Sequence, residues 1–150
     1  LPEHPEIPWR LKRGMEINMP AWLFEELEKE GFVERKEPMD VEVVEVMLHK
    51  EQVTTRPLKI PEDTYSWLKK EIEAARSKEE ADPLEIRRLS SNLFDLSSTR
   101  LRKIVRYLLL PHVKDMEWRI LEHLTPEERV LYLALREIID GWRIDLGEEK

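Results

Sequence analysis

Apolar residues recur at intervals of three and four along most of this chain, and that spacing predicts a mainly helical protein. The first helix is expected to begin near Pro20 and to stop at Gly31, because proline suits a first helical turn and glycine a helix terminus. The same spacing predicts further helices over 40–53, 61–77, 82–94, 96–110, 115–124 and 125–142, with the segments 82–94 and 96–110 either separate or continuous.

Three of these segments begin with residues that are typical of helix starts. Asp40 precedes "VEVVEVMLHK", where the valines favour a strand but the cap and the apolar spacing favour a helix, and we predict a helix. Asp82 with Glu85, and Thr125 with Glu128, form capping-box patterns, in which each side chain satisfies a backbone N–H group near the other residue.

The first third of the chain has a different pattern. Short strands are expected in "FVER" (32–35) and around Gly14 in "WRLKRGMEINM", and prolines keep "TTRPLKIPED" extended. The predicted fold class is mainly α, with a small N-terminal α/β element followed by a helical bundle. The expected domains are a small strand-containing domain over 1–38, a connecting helix and extended linker over 39–60, and a helical bundle domain over 61–146.

Composition narrows the possible functions. The chain has 32 acidic and 25 basic residues and a net charge of −7, which argues against a protein whose main work is neutralising phosphates. It has no cysteine, which excludes disulfides, zinc fingers and thiol catalysis. No apolar run approaches the roughly 20 residues that span a bilayer, and the start does not read as a signal peptide. We expect a soluble, cytoplasmic protein, and the 38% of charged residues is typical of a thermophile.

The residues that usually carry catalysis do not form a recognisable motif in the sequence. The histidines lack metal-ligand spacing, and they are His4, His49, His112 and His123. The four glycines are isolated, so no phosphate-binding loop and no nucleophile elbow can be assembled. We therefore expect no enzyme activity, no catalytic residues, no metal and no cofactor, and a protein that works by contact.

The stretch "LSSTRLRKIVRYLLL" (96–110) predicts an amphipathic helix with an apolar arc and a basic side. The final helix has an apolar arc covering about half of its circumference, wider than one buried face needs. One interpretation is that these helices are central to their own bundle. The other is that a second apolar surface meets a partner subunit, with arginines pairing with its carboxylates. No membrane contact is expected, because an acidic chain is repelled by anionic lipid, and direct DNA contact stays open.

Four stretches, taken together and in order, resemble a subunit of the GINS complex, which supports the replicative helicase in archaea and eukaryotes. They are "GMEINMPAWLFEELEKEGFVE", "MDVEVVEVMLHKEQVTTRPLKIPEDTYSWLKKEI", "EIRRLSSNLFDLSSTRLRKIVRYL" and "HLTPEERVLYLALREII", and they span roughly residues 14 to 142. The resemblance is to the "two-three" subunit type, in which the small strand-containing domain precedes the helical domain. In this comparison the first domain is short at its start, so we expect further residues before Leu1.

The resemblance implies an archaeal, non-catalytic scaffold subunit at the replication fork. It implies a heterotetramer with a second GINS subunit, contact with the MCM helicase and a RecJ-like protein, and further contacts with DNA polymerase and primase. Helical geometry and the family's general arrangement together suggest partner-interface residues, and these are Arg100, Arg102, Arg106, Leu109, Leu131, Leu135, Ile139 and Trp142.

Two other functions remain open from the sequence. A helical nucleic-acid-binding protein would use the basic helix and would bind with an affinity that falls steeply as salt rises. An unrelated oligomeric helical adaptor would form a stable assembly without a second type of chain. The mass of the protein in solution, alone and with a second subunit, separates these alternatives.

Overall fold

A computed structural model describes residues 12–34, 38–111 and 117–147, and these residues are mainly helical, as predicted. The helices are α1 (Ala21–Lys29), α2 (Val41–Gln52), α3 (Thr64–Ser77), α4 (Pro83–Leu109), α5 (Glu117–His123) and α6 (Pro126–Asp145). The described residues contain no strand, so the predicted N-terminal α/β element is not seen. Phe32 and Glu34 lie in irregular backbone, while Arg35 and the start of "WRLKRGMEINM" lie outside the described residues.

The chain divides into two compact units, one ending at Met39 and the other beginning at Asp40. In the first unit, α1 follows Pro20 and ends where Gly31 adopts a φ of +77°, a conformation that favours glycine. The N–H groups of Gly31 and Phe32 then donate to the carbonyls of Glu28 and Leu27, each at 3.0 Å. These bonds satisfy carbonyls at the end of the helix, which explains why it stops there.

The second unit is a helical bundle in which α2, α3 and α6 pack against the 27-residue helix α4. Asp40 caps α2 by accepting a hydrogen bond of 2.8 Å from the Val43 N–H, which confirms the predicted helix. Helix α2 packs on α4, and residues 40–60 lie in the same compact unit as the other helices of the bundle. The predicted segments 82–94 and 96–110 form one continuous helix, since no glycine or proline interrupts them.

Two groups of apolar side chains hold the bundle together. One group comes mainly from the first three helices of the unit and includes Val44, Leu48, Leu68, Ile72, Ala75, Leu89 and Leu96. The other joins the C-terminal half of α4 to α5 and α6, and its buried members are Ile104, Leu108, Ile120, Leu124 and Tyr132. The second group packs α6 against the C-terminal half of α4.

Helix α6 begins with the predicted capping box. The Thr125 hydroxyl accepts from the Glu128 N–H at 3.3 Å, and the Glu128 carboxylate accepts from the Thr125 N–H at 3.0 Å. The helix continues to Asp145, three residues beyond the predicted end at Trp142. Within the described ranges, none of the helices has the length and apolar character needed to cross a bilayer.

Candidate functional site

A network of charged side chains lies inside the bundle, where α2, α4 and α6 meet. Its centre is Arg100, which lies between the carboxylates of Glu51 and Glu128. We call the group the charge network, and its members are Arg100, Glu51, Glu128, Lys103 and Tyr65. Arg100 and Glu51 are 0% exposed and Glu128 is 5% exposed. Charged groups are almost never buried so completely unless they are paired, so their partners decide what the network can do.

Arg100 is fully bonded within the chain. Its Nε and Nη2 donate to the two carboxylate oxygens of Glu128 at 2.7 and 2.8 Å, a bidentate pair. Its Nη1 donates to Glu51 at 3.3 Å and to the Leu58 carbonyl at 2.6 Å. The remaining Nη2 donor reaches the His123 carbonyl at 2.9 Å. A guanidinium has five N–H donors, and here each one has an acceptor.

Glu51 and Lys103 form the second part of the charge network. Lys103 Nζ donates to the Glu51 carboxylate at 2.9 Å, to the Glu51 carbonyl at 2.6 Å and to the Thr54 hydroxyl at 2.9 Å. The ammonium thus sits at the C-terminus of α2, where carbonyls lack helical partners and the helix dipole favours a cation. The Leu58 N–H also donates to the Glu51 carboxylate, at 3.3 Å, which ties the extended segment after α2 to the network.

Tyr65 completes the network from α3. Its hydroxyl donates to the Glu128 carboxylate at 2.8 Å. Burial raises the pKa of Tyr65, and the neighbouring Glu128 carboxylate raises it further, so the phenol stays protonated and remains a donor. Burial by itself would raise the pKa of Glu128, but the bonds from Arg100, Thr125 and Tyr65 outweigh it and lower that pKa.

The charge network is a structural joint. Among the described residues, no buried side-chain nitrogen or oxygen lacks a hydrogen-bond partner. A site that binds a ligand or activates a substrate needs a polar group without a hydrogen-bond partner in the protein. Every buried polar group of this network already has such a partner. Arg100 was predicted as a partner-interface residue; in the structure its side chain is buried and its donors are all used within the chain.

The lowered pKa of Glu128 predicts how stability depends on pH. Its native-state pKa lies below the roughly 4.3 of an unfolded glutamate, so in acid the unfolded chain binds the proton more readily. The stabilisation is present above the unfolded pKa and is lost as pH falls through the native one. Between about pH 6 and pH 3, we expect the unfolding temperature of the wild type to fall more steeply than that of Glu128→Gln. Thermal melts followed by circular dichroism test this, and parallel slopes would contradict it.

The other predicted interface residues fall into two separate sets. Arg102, Arg106 and Leu109 are exposed on α4, with Leu109 at 55%. On α6, Leu131 and Trp142 are exposed, at 39% and 61%. The other two predicted residues of α6, Leu135 and Ile139, are half-buried against the second apolar group.

Helix α6 carries an exposed apolar stripe that includes only one of the predicted residues. Val130, Ala134, Ile138 and Trp142 are four residues apart in sequence, so they follow one side of the helix, and we call them the α6 stripe. Val130 is 70% exposed and Ile138 is 67% exposed. In this helix only Glu128 and Tyr132, both near its start, are fully buried. The stripe is a continuous apolar surface with no described side chain covering it.

Two arginines of α6, Arg129 and Arg136, lie on other sides of the helix and pair with neighbouring segments. Arg129 pairs with Glu62 at 3.1 Å and donates to the Leu121 carbonyl at 3.0 Å. Arg136 pairs with Glu117 at 2.6 Å, and the same carboxylate accepts from the Tyr132 hydroxyl at 2.7 Å. These pairs orient α6 so that the stripe faces outwards.

Sequence reasoning missed Glu51, Tyr65 and Lys103 as members of a site. The capping box predicted Glu128 at the start of a helix. Nothing in the local pattern indicates that the Glu128 carboxylate also accepts hydrogen bonds from an arginine 28 residues away. Val130 and Ile138 were part of the predicted apolar arc, but nothing in the sequence separates them from Leu135 and Ile139, which are half-buried in the same helix.

A shallow groove between α3 and α4 is the other notable surface feature. Ile72, Leu93 and Phe94 form its apolar part, and Lys69 and Arg76 lie at its edges. Phe94 is 69% exposed, so the groove is open and offers little enclosure for a small molecule.

The described residues hold no arrangement suited to a metal. No group of three or more potential ligands lies close enough together among them. His49 is exposed, and His123 Nδ1 lies 3.0 Å from the Pro57 carbonyl, while His4 and His112 lie outside the described residues. In comparisons with known proteins, no protein-family model matches the chain and no curated protein matches it.

Proposed function

We propose that the chain is a non-catalytic structural subunit of the GINS complex, of the "two-three" type. In this proposal it assembles with a second GINS subunit into a heterotetramer at the replication fork. The assembly supports the MCM helicase together with a RecJ-like protein, and it also contacts DNA polymerase and primase. The collinear resemblance of four stretches over roughly residues 14 to 142 supports the family, and the α6 stripe supports assembly.

The α6 stripe is the observation that carries the proposal. Protein interfaces are enriched in aromatic residues and depleted of charge at their centre, and the stripe has one tryptophan, two branched aliphatic residues and no charge. A contiguous exposed apolar surface of this kind on a highly charged chain marks a place where another protein binds. Charged residues such as Glu127 and Arg143 lie near the two ends of the helix, in positions suited to a polar rim.

The charge network fits the same role. It fixes α6 against α2, α3 and α4 through bonds in which every donor is used, so the stripe is presented on a rigid helix. A rigid surface loses less entropy on binding than one that must first be ordered.

Co-expression with a second GINS subunit tests the proposal. We expect the two chains to purify together, with a mass by light scattering that corresponds to a tetramer at low and at high salt. We expect the chain alone to aggregate or to associate weakly, because the stripe is uncovered. A well-behaved monomer that does not purify with the second subunit would overturn the proposal.

A further inference from the structure

Two segments of the bundle carry basic residues and no acidic ones. Residues 53–61 ("VTTRPLKIP") and 96–111 ("LSSTRLRKIVRYLLLP") together contain six basic residues, although the chain has 32 acidic residues overall. In the sequence they lie more than 30 residues apart, so only the fold can bring their charges together.

The charge network lays these two segments side by side. Lys103 Nζ donates to the Thr54 hydroxyl at 2.9 Å and to the Arg56 carbonyl at 3.2 Å, and Arg100 Nη1 donates to the Leu58 carbonyl at 2.6 Å. Burial raises the pKa of Tyr107 and Glu117 adds to the rise, while Arg56 opposes it. The Arg56 guanidinium is therefore within electrostatic reach of the last turns of α4.

Four of the six basic residues are exposed: Lys59 and three arginines, Arg56, Arg102 and Arg106, which we call the arginine surface. None of them has an ion-pair partner among the described residues, whereas Arg100 and Lys103 are neutralised by buried carboxylates. Arg102 and Arg106 are four residues apart on α4, a spacing at which like charges repel each other.

The arginine surface is separate from the α6 stripe. At about 100° per residue, Arg102 and Arg106 lie more than 100° around α4 from Arg100, the residue that contacts α6. A partner that covers the stripe therefore leaves these arginines accessible. For this reason we assign them a function of their own, beyond the proposed assembly.

We propose that the arginine surface binds the phosphate backbone of a single nucleic-acid strand. The planar guanidinium fork pairs bidentately with phosphate and also stacks on bases, so three clustered arginines supply both contacts that a nucleotide offers. Leu109 and Leu110 are exposed one turn beyond Arg106 and add apolar surface for the bases. A duplex is disfavoured, because proteins that hold duplex DNA by its phosphates use about 6–10 contacts and this surface has three cations.

Fluorescence anisotropy with labelled oligothymidine of about 20 nucleotides tests this at about 50 mM salt. We expect the full chain to bind, with a logarithmic salt slope of about −2 for three phosphate contacts. Arg102→Glu with Arg106→Glu should weaken binding more than tenfold. Arg76→Glu with Arg87→Glu makes the same change of net charge at exposed positions elsewhere on the bundle, and it should weaken binding less than threefold.

A second variant keeps the test decisive if the charge reversal disturbs the fold. Arg102→Gln with Arg106→Gln removes both charges and keeps polar side chains at the two positions. The logarithmic salt slope of binding should then change to about −0.7, the value for one remaining phosphate contact. Three results would overturn the proposal: absence of binding by the wild type, equal losses in the two reversal variants, or displacement of the strand by polyglutamate at equal charge. The last result would identify the surface as a site for an acidic protein segment.

Discussion

Replacing Arg100 by methionine is expected to lower the free energy of unfolding by about 3–5 kcal/mol. Methionine has a similar length and fills much of the same space, so the loss is mainly electrostatic. Without the guanidinium, the buried carboxylates of Glu51 and Glu128 lose the group that links them, and Glu128 loses its bidentate partner. Lys103 still neutralises Glu51, so the uncompensated charge is chiefly that of Glu128. Urea unfolding followed by far-ultraviolet circular dichroism measures the change.

Arg88→Met is the matched control for this prediction. Arg88 also lies on α4 and also pairs with a carboxylate of α2, that of Glu45, but both side chains are partly exposed to water. An exposed pair contributes under about 1 kcal/mol, so this variant should unfold at nearly the wild-type urea concentration. Equal losses of stability in the two variants would show that burial of the Arg100 pairs does not matter, and the description of the charge network as a structural joint would fail.

Replacing both Ile138 and Trp142 by alanine is expected to abolish assembly with the second subunit at micromolar concentration. Residues at the centre of an interface each contribute about 2 kcal/mol or more, which is about 30-fold in affinity per residue. Both side chains are more than 60% exposed in the isolated chain. Their loss should therefore change the stability of the chain itself by no more than about 0.5 kcal/mol per residue. Analytical size exclusion of the co-expressed chains detects the effect.

Phe94→Ala serves as the control for the stripe. Phe94 is a large apolar residue with a similar exposed fraction, but it lies in the groove between α3 and α4. Because the partner is expected to bind at the stripe and not at the groove, Phe94→Ala should assemble as the wild type does. Loss of assembly in Phe94→Ala, with assembly intact in the α6 double variant, would move the partner surface to the groove and contradict the assignment of the stripe.

Local signals in the sequence predicted most of the helices. Asp40 and the apolar spacing together decided the helix of "VEVVEVMLHK" against its valines, and the Asp40 carboxylate does satisfy a backbone N–H that the helix start leaves open. Thr125 and Glu128 decided the start of α6 in the same way. These features depend on residues only three positions apart, so the sequence alone contains the needed information.

The prediction of a strand in "FVER" failed for a physical reason. A strand needs a neighbour to receive its backbone hydrogen bonds, and the described part of the first unit offers none. Phe32 instead donates its N–H to Leu27 as part of the end of α1. The apolar and β-branched composition of the segment was therefore a weaker guide than the positive φ of Gly31, which redirects the chain.

The charge network could not be predicted because its partners are distant in sequence. Arg100 is 49 residues from Glu51 and 28 from Glu128, and no periodic pattern relates these positions. In the sequence, Arg100 has the same setting as Arg102 and Arg106, yet it is buried and they are exposed. The wide apolar arc of the last helix was equally ambiguous, since Leu135 and Ile139 line the bundle while Ile138 faces water.

Hydrogen exchange of the chain, alone and in the co-expressed assembly, tests the central claim that α6 carries the partner surface. The second half of α6 has no fully buried residue in the isolated chain, so its amides should exchange readily there. In the assembly we expect exchange over residues 134–146 to slow markedly, while exchange in the groove between α3 and α4 stays unchanged. An assembly that forms while exchange over residues 134–146 stays as fast as in the isolated chain would contradict the account.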